Sequence, residues 1–247
     1  EDLGRYQDEV VSLEKALRAN PNNAQAWFHR GVALSALGRT EEAVEAFRET
    51  LRIDPEDTRA IFQLGSLERD LGHYDQAVEA LERATQISPA DARTHYLAGL
   101  ARNGQGNHGE AALAFRRSLE IEPGNPAVWY NKALIQKERG AQEAALESLV
   151  RVLELDPRHA GALHTRGLLL HALGRRGEAL EAYDRALSLD PALVHAWYDR
   201  GIVLEEMDRA EEATVSFRHA ADLDSGDSLA WYRMGILLGR QGRHAEA

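Results

Sequence analysis

The stretch that decides the fold is residues 24–57, which read AQAWFHRGVALSALGRTEEAVEAFRETLRIDPED. The same pattern returns every 34 residues, and the prolines show the period most directly. Six of the seven prolines fall in one series, which is Pro21, Pro55, Pro89, Pro123, Pro157 and Pro191, and Ser225 occupies its next position. A repeat of this length indicates that the chain is built from copies of one small structural unit.

Positions inside the repeat are numbered here as places 1 to 34, with place 1 at residue 24 and the proline at place 32. Six complete repeats span 24–57, 58–91, 92–125, 126–159, 160–193 and 194–227. We predict a single array over residues 1–247 without a domain boundary. In this array residues 1–23 supply the second helix of a truncated repeat, and residues 228–247 supply the first helix of another.

Each repeat carries the spacing of two amphipathic helices, because apolar or small residues recur three or four places apart in both halves. Place 8 is glycine except at Ala133, place 20 is alanine except at Glu9, and place 24 is always bulky. Small residues at places 8 and 20 allow two helices to approach closely, while Trp at place 4 and the bulky residue at place 24 fill the space beside them. The unit is therefore predicted to be an antiparallel helix pair.

The connections between helices are also predicted by residue type. Glycine at place 15 permits a tight turn between the two helices, and Asp208 stands where one of these glycines is expected. Proline at place 32 ends the second helix. Asn or Asp at place 34 can cap the next first helix through its side-chain oxygen. These capping residues are Asn23, Asp57, Asp91, Asn125 and Asp227.

The set of W-x3-G at places 4 and 8, alanine at 20, an aromatic residue or leucine at 24 and proline at 32 resembles the tetratricopeptide repeat family, and the resemblance covers the whole chain. It implies an all-α, right-handed α-solenoid of antiparallel helix pairs. In that solenoid the first helices line a concave groove and the second helices cover the convex side. It further implies that groove places 2, 5, 6, 9, 12 and 13 choose the partner.

The groove places are the candidate partner-binding residues. Place 5 carries a ring in every unit, and place 9 is mostly aliphatic, so we expect contact with an extended or helical peptide. The alternative is that these rings only pack one first helix on the next. The candidate residues are Phe28, Arg59, Phe62, Arg69, Arg93, Tyr96, Tyr130, Asn131, Lys137, His164, Tyr198, Asp199, Tyr232 and Arg233.

Acidic and basic residues are distributed unevenly, both between the two helices of each repeat and along the chain. The net charge is −11, yet basic residues outnumber acidic ones on the first helices, so the acidity lies on the convex side and turns. At groove places the bases lead at Arg59, Arg69 and Arg93, and the acids lead at Asp199, Glu205 and Glu206. A partner of matching charge would be steered by that field, although a charged, solvated face is the simpler interpretation.

Several function classes are excluded or disfavoured by the sequence. The absence of cysteine excludes disulfides and thiolate metal sites, and the acid excess argues against nucleic-acid binding. No apolar run approaches the roughly 20 residues that cross a bilayer, so no membrane insertion is expected. We predict no catalytic, cofactor or metal site. We expect His164, His171 and His195 to face solvent separately and not to bind a common metal ion. The glycine-rich stretch 103–108 is predicted to be the turn between two helices and not a phosphate-binding loop.

The predicted function is a protein-interaction scaffold that binds a peptide or protein in the groove. Two alternatives remain open at the level of sequence. The truncated repeats at the two ends have complementary surfaces, which would allow head-to-tail self-assembly. The second alternative is that the chain serves as the regulatory or substrate-docking arm of a larger enzyme.

Overall fold

The structure is a computed structural model that describes residues 2–224, 226 and 228–243. Ser225, Asp227 and Ala247, which the repeat pattern assigns to places 32, 34 and 20, lie outside these residues. Within the described part the chain forms fourteen α-helices and no strand. The prediction of an all-α fold made of antiparallel helix pairs is confirmed.

The chain divides into two compact units, residues 1–123 and 124–247. In the first unit each helix packs on the next, and the first helices α4 and α6 also touch. Its helices are α1 (Asp2–Ala19), α2 (Ala24–Ala36), α3 (Thr40–Ile53), α4 (Thr58–Asp70), α5 (Tyr74–Ile87), α6 (Ala92–Gly104) and α7 (His108–Ile121).

The second unit follows the same plan, with contact between the first helices α10 and α12. Its helices are α8 (Pro126–Glu138), α9 (Gln142–Leu155), α10 (Ala160–Ala172), α11 (Arg176–Leu189), α12 (Val194–Glu206), α13 (Ala210–Leu223) and α14 (Ser228–Arg240). Each unit is thus a stack of helix pairs joined by short turns.

The turn inside each repeat is a Schellman motif centred on place 15. In the repeat 24–57 Gly38 has φ of 72°, its N–H donates to the Ser35 carbonyl, and the Arg39 N–H donates to the Leu34 carbonyl. Only a left-handed residue closes this motif, which is why glycine dominates the place. Asp208 adopts the same conformation with φ of 58°, so the turn keeps its geometry without glycine.

Two kinds of hydrogen bond order the loop between repeats: a side-chain cap at the start of the next helix, and a bond from a ring at place 4 to the proline carbonyl. Asn23, Asp57, Asp91 and Asn125 accept backbone N–H groups at the starts of α2, α4, α6 and α8, as predicted. The Trp27 and Trp197 indole N–H groups each donate to the place-32 proline carbonyl six residues earlier, at 2.9 Å. His95 holds the same place, and its Nε2 lies 2.9 Å from the Pro89 carbonyl. The ring nitrogen at place 4 therefore satisfies a loop carbonyl as well as filling space.

The helices of a pair meet where a glycine at place 8 faces the bulky residue at place 24. A Cβ built on Gly99 would lie 2.5 Å from Cε1 of Phe115, and one on Gly167 would lie 2.4 Å from Cε1 of Tyr183. The alanines at place 20, from Ala43 to Ala213, are fully buried beside them. These two small residues set how closely the helices approach.

Place 11 departs from the apolar pattern in the first unit. Glu68 is only 2% exposed, and its carboxylate accepts from the Arg48 guanidinium at 2.7 Å and lies 2.8 Å from His73 Nδ1. Arg48 belongs to α3 and His73 to the turn after α4, so this buried carboxylate connects neighbouring repeats. A buried charge of this kind is tolerated because it is paired on both sides.

Gly99→Ala is expected to lower the free energy of unfolding by about 1–3 kcal/mol, because the added methyl group overlaps the Phe115 ring. The loss exceeds the gain in helix propensity that alanine brings. Urea denaturation followed by circular dichroism measures it. Gly109→Ala on α7 is the matched control, because no atom lies within 4 Å of its Cβ position, and it is expected to stabilise the fold. Equal effects at the two sites would contradict the packing argument.

Tyr183 occupies place 24, and its hydroxyl is buried without a hydrogen-bond partner in the described part of the chain. Burial raises the pKa of this phenol. Tyr183→Phe is expected to raise the free energy of unfolding by about 1 kcal/mol, because it removes an unsatisfied polar group. Tyr130→Phe is the control, since the Tyr130 hydroxyl lies 3.3 Å from its hydrogen-bond partner Thr165 Oγ1 and no gain is expected there. A loss of stability in Tyr183→Phe would show that the hydroxyl has a partner.

Candidate partner-binding surface

The rings at place 5 are held from behind by the core of their own repeat. Ring centroids of the pairs formed by places 5 and 24 lie 5.5 to 5.9 Å apart. These pairs are Phe28–Phe47, Tyr96–Phe115, His164–Tyr183 and Tyr198–Phe217. Packing thus accounts for one face of each ring, although the contact is with the second helix of the same repeat and not with the next first helix, and Tyr96, His164 and Tyr198 remain partly exposed.

In the first unit two arginines at place 2 cover the place-5 rings of the preceding repeats. The Arg59 guanidinium carbon lies 4.5 Å from the centroid of Phe28, and that of Arg93 lies 5.0 Å from the centroid of Phe62. Arg59 also donates to the Asp57 carboxylate at 2.8 Å, and this hydrogen bond lowers the pKa of Asp57 despite its burial. Cations and rings therefore alternate along this face.

A cavity of about 360 Å³ opens beside these four side chains. Half of its lining belongs to groove places 2, 5 and 6, so residues of these places lie around one cavity in the first unit. The lining residues are Phe28, Thr58, Arg59, Phe62, Gln63, Ala84, Ser88, Asp91, Arg93 and Thr94. Sequence reasoning did not identify Ala84 or Ser88, because they come from the second helix and its end, where the repeat pattern predicts only packing.

Arg69 lies at the other end of α4 and is engaged with its neighbour. Its Nε donates to Oδ1 of Asp70 at 3.0 Å. Burial raises the pKa of the Tyr96 hydroxyl, and the positive charge of Arg69 acts in the opposite direction. Arg69 thus lies close enough to Tyr96 to affect its ionisation but does not belong to the cavity.

In the second unit the groove residues bond to the next repeat at a separation of 35 residues. Tyr130 Oη lies 3.3 Å from Thr165 Oγ1, and His164 Nε2 lies 2.8 Å from Asp199 Oδ2. Place 5 of one repeat therefore meets place 6 of the following repeat. This contact was not predicted, and the spacing of 35 within a period of 34 was the signal available in the sequence.

Two groove-side carboxylates of this unit, Glu205 and Glu206, are paired within the chain. Glu205 accepts from Arg233 at 3.0 Å, and Glu206 accepts from Arg176 at 2.7 Å and lies 3.1 Å from His171 Nε2. The hydrogen bonds from Arg176 and then from His171 lower the pKa of the Glu206 carboxyl. These carboxylates stabilise repeat stacking, so they offer less negative charge to a partner than the sequence suggested.

The remaining candidates lie on α8 and α14. Asn131 donates to the Ala127 carbonyl of its own helix at 2.9 Å, and Lys137 lies partly exposed in the last turn of α8. Tyr232 is 65% exposed at the start of α14.

No group of three or more metal-ligating side chains forms among the described residues. His164 lies beside the Asp199 carboxylate and His171 beside the Glu206 carboxylate. In the part of the chain that the structure describes, no helix is long and apolar enough to cross a membrane.

Tetratricopeptide repeat profiles match the sequence along most of its length, at residues 2–58, 62–126, 114–147 and 194–227, and a TPR repeat profile matches residues 167–208. The chain therefore belongs to the tetratricopeptide repeat family, whose members are protein-interaction scaffolds. No curated protein matches it significantly over its sequence.

Solved structures share the fold at low sequence identity. The C-terminal part of a TPR repeat-containing protein from Cytophaga hutchinsonii is 15% identical with a TM-score of 0.77, covering 93% of this chain and 95% of that one. YrrB, a TPR protein with an unusual peptide-binding site, is 22% identical with a TM-score of 0.64, covering 74% and 95%. MamA is 22% identical with a TM-score of 0.63, covering 66% and 95%.

Glu206→Gln is expected to lower the free energy of unfolding at pH 7 by less than about 1 kcal/mol, because the pair is partly exposed. The pKa of Glu206 is lowered in the folded state, so its stabilising effect is complete above the unfolded pKa of about 4.3 and is lost as the pH falls through the folded value. Urea denaturation of wild type and variant between pH 7 and pH 3 measures the difference. Glu147→Gln, at an exposed carboxylate with no ion pair among the described residues, should show no such dependence. A constant difference across this range would contradict the assignment.

Proposed function

We propose that the chain is a scaffold that binds a peptide segment of a protein partner along its first helices. The observation that carries this proposal is that the place-5 rings are fixed from behind by place 24 while most keep an exposed outer edge. Rigid, half-exposed aromatic side chains gain contact area at low conformational cost, which is the property of binding anchors. The proposal assigns the chain no catalytic activity.

Place 9 supports the same surface. Val32 is 36% exposed, and Leu100, Leu134, Leu168, Ile202 and Ile236 are partly exposed at the equivalent positions. Within each unit, partly exposed aliphatic side chains on the first helices form an apolar strip beside the rings, and Ser66 on α4 is the exception. Such a strip suits the alternating side chains of an extended peptide or one face of a helix. The peptide-binding site of YrrB, which shares this fold, is consistent with such a use.

Selection from a random dodecapeptide display library against the immobilised chain tests the proposal. Enriched peptides are expected to bind Val32→Asp at least about tenfold more weakly, because the new carboxylate would be buried against apolar peptide side chains. Fluorescence polarisation with the enriched peptides gives the affinities.

Leu113→Asp is the matched control, because Leu113 is 56% exposed on the second helix α7 and not on a first helix. Its affinity is expected to equal that of wild type. Equal loss in both variants, or the absence of any enriched peptide, would overturn the proposed function.

A further inference from the structure

The cavity of the first unit combines an apolar floor with a cationic edge. Phe28 and Phe62 contribute the parts of their rings that Arg59 and Arg93 leave uncovered, and Ala84 on α5 adds apolar surface. Thr58, Gln63 and Ser88 place polar groups at the rim. A cavity of this composition suits a short side chain that has both an apolar and a charged group, or two adjacent residues of which one is apolar and the other charged.

Contact with the rings places both guanidinium groups at the cavity. The guanidinium carbons of Arg59 and Arg93 lie 4.5 and 5.0 Å from the ring centroids of Phe28 and Phe62, and both arginines line the cavity. The planar edge of a guanidinium matches the two oxygens of a carboxylate. A ligand carboxylate in the cavity would therefore meet guanidinium donors.

The two arginines differ in how many donors are already used. Arg59 donates hydrogen bonds from Nε and Nη2 to the Asp57 carboxylate. The Arg93 guanidinium has no carboxylate partner among the described residues, and its contact is the Phe62 ring. Asp91 lies nearby but accepts from the backbone N–H of Arg93 and from Thr94 Oγ1, at 3.0 and 2.6 Å. The Arg93 guanidinium is thus not paired with a carboxylate of the described residues, and the nearby Asp91 carboxylate already accepts two other hydrogen bonds.

We infer that this cavity recognises an acidic peptide segment, with an Asp or Glu carboxylate on the Arg93 guanidinium and a neighbouring apolar side chain against the parts of the Phe28 and Phe62 rings that the arginines leave uncovered. The inference rests on the proposed function and names its ligand class. Charge complementarity argues for this occupant, because the cavity is lined by two arginines and by a single carboxylate, Asp91, that already accepts two hydrogen bonds. Arg59 assists as a second donor through its remaining nitrogen, held in position by Asp57.

The test compares the peptides enriched by wild type with those enriched by Arg93→Gln in the same dodecapeptide selection. Wild type is expected to enrich peptides with adjacent acidic and apolar residues. These peptides should bind Arg93→Gln at least about tenfold more weakly, since a charge-assisted bidentate contact is lost. Arg93→Lys should fall between the two, because it keeps the charge and loses the planar edge.

Arg116→Gln on α7 is the matched control, because it removes the same charge from an exposed arginine outside the cavity. Thermal midpoints of the variants should agree with wild type, since Arg93 is exposed. Enriched peptides without an acidic excess, or acidic peptides whose affinity is the same for Arg93→Gln, would overturn this inference and leave the proposed function standing. The absence of any enriched peptide would overturn both. Stronger binding of a fluorescein-labelled oligothymidylate, with the same dependence on Arg93, would also overturn it.

Discussion

The structure depends on the contact between the place-8 glycine and the place-24 side chain. Gly31 lies against Phe47, and the same ring touches Phe28 at place 5. One core side chain thus sets the distance between the two helices of a pair and also supports the ring on the outer face. Because close packing leaves no space for a shift at the glycine, the position of the candidate binding ring follows from the position of the core ring. Core packing and surface geometry are therefore coupled in every repeat where this contact forms.

Most of the fold could be predicted from residue types whose conformational limits are local. The capping role of Asn23 and the turn at Gly38 follow from backbone chemistry that does not depend on distant parts of the chain. The turn at Asp208 shows the limit of such reasoning, because the surrounding Schellman hydrogen bonds impose the left-handed conformation on a residue that does not favour it. The extent of the array as a single uninterrupted domain remains a prediction.

The candidate site was only partly predictable. The ring at place 5 and the arginine at place 2 were recognised as groove residues, but their stacking joins residues of neighbouring repeats and depends on how these repeats pack. The pairing of His164 with Asp199 depends on the same packing. Formal charge alone suggested an acidic surface at Asp199, Glu205 and Glu206, whereas the hydrogen bonds show that these groups connect the repeats. Side chains on one face of a repeat can contact either a binding partner or the neighbouring repeat. The residue types alone do not distinguish these two roles, whereas the contacts in the structure do.

The bond from the place-4 ring to the loop carbonyl gives the molecule internal optical reporters. Trp27 is the single tryptophan of residues 1–123, and its indole N–H is fixed to the Pro21 carbonyl. Trp197 makes the equivalent bond to Pro191 in residues 124–247. Indole emission depends on hydrogen bonding and on exposure to water, so opening of either loop changes the spectrum of its own tryptophan. With the other tryptophans replaced by phenylalanine, the emission of Trp27 would follow the loosening of one unit independently of the other.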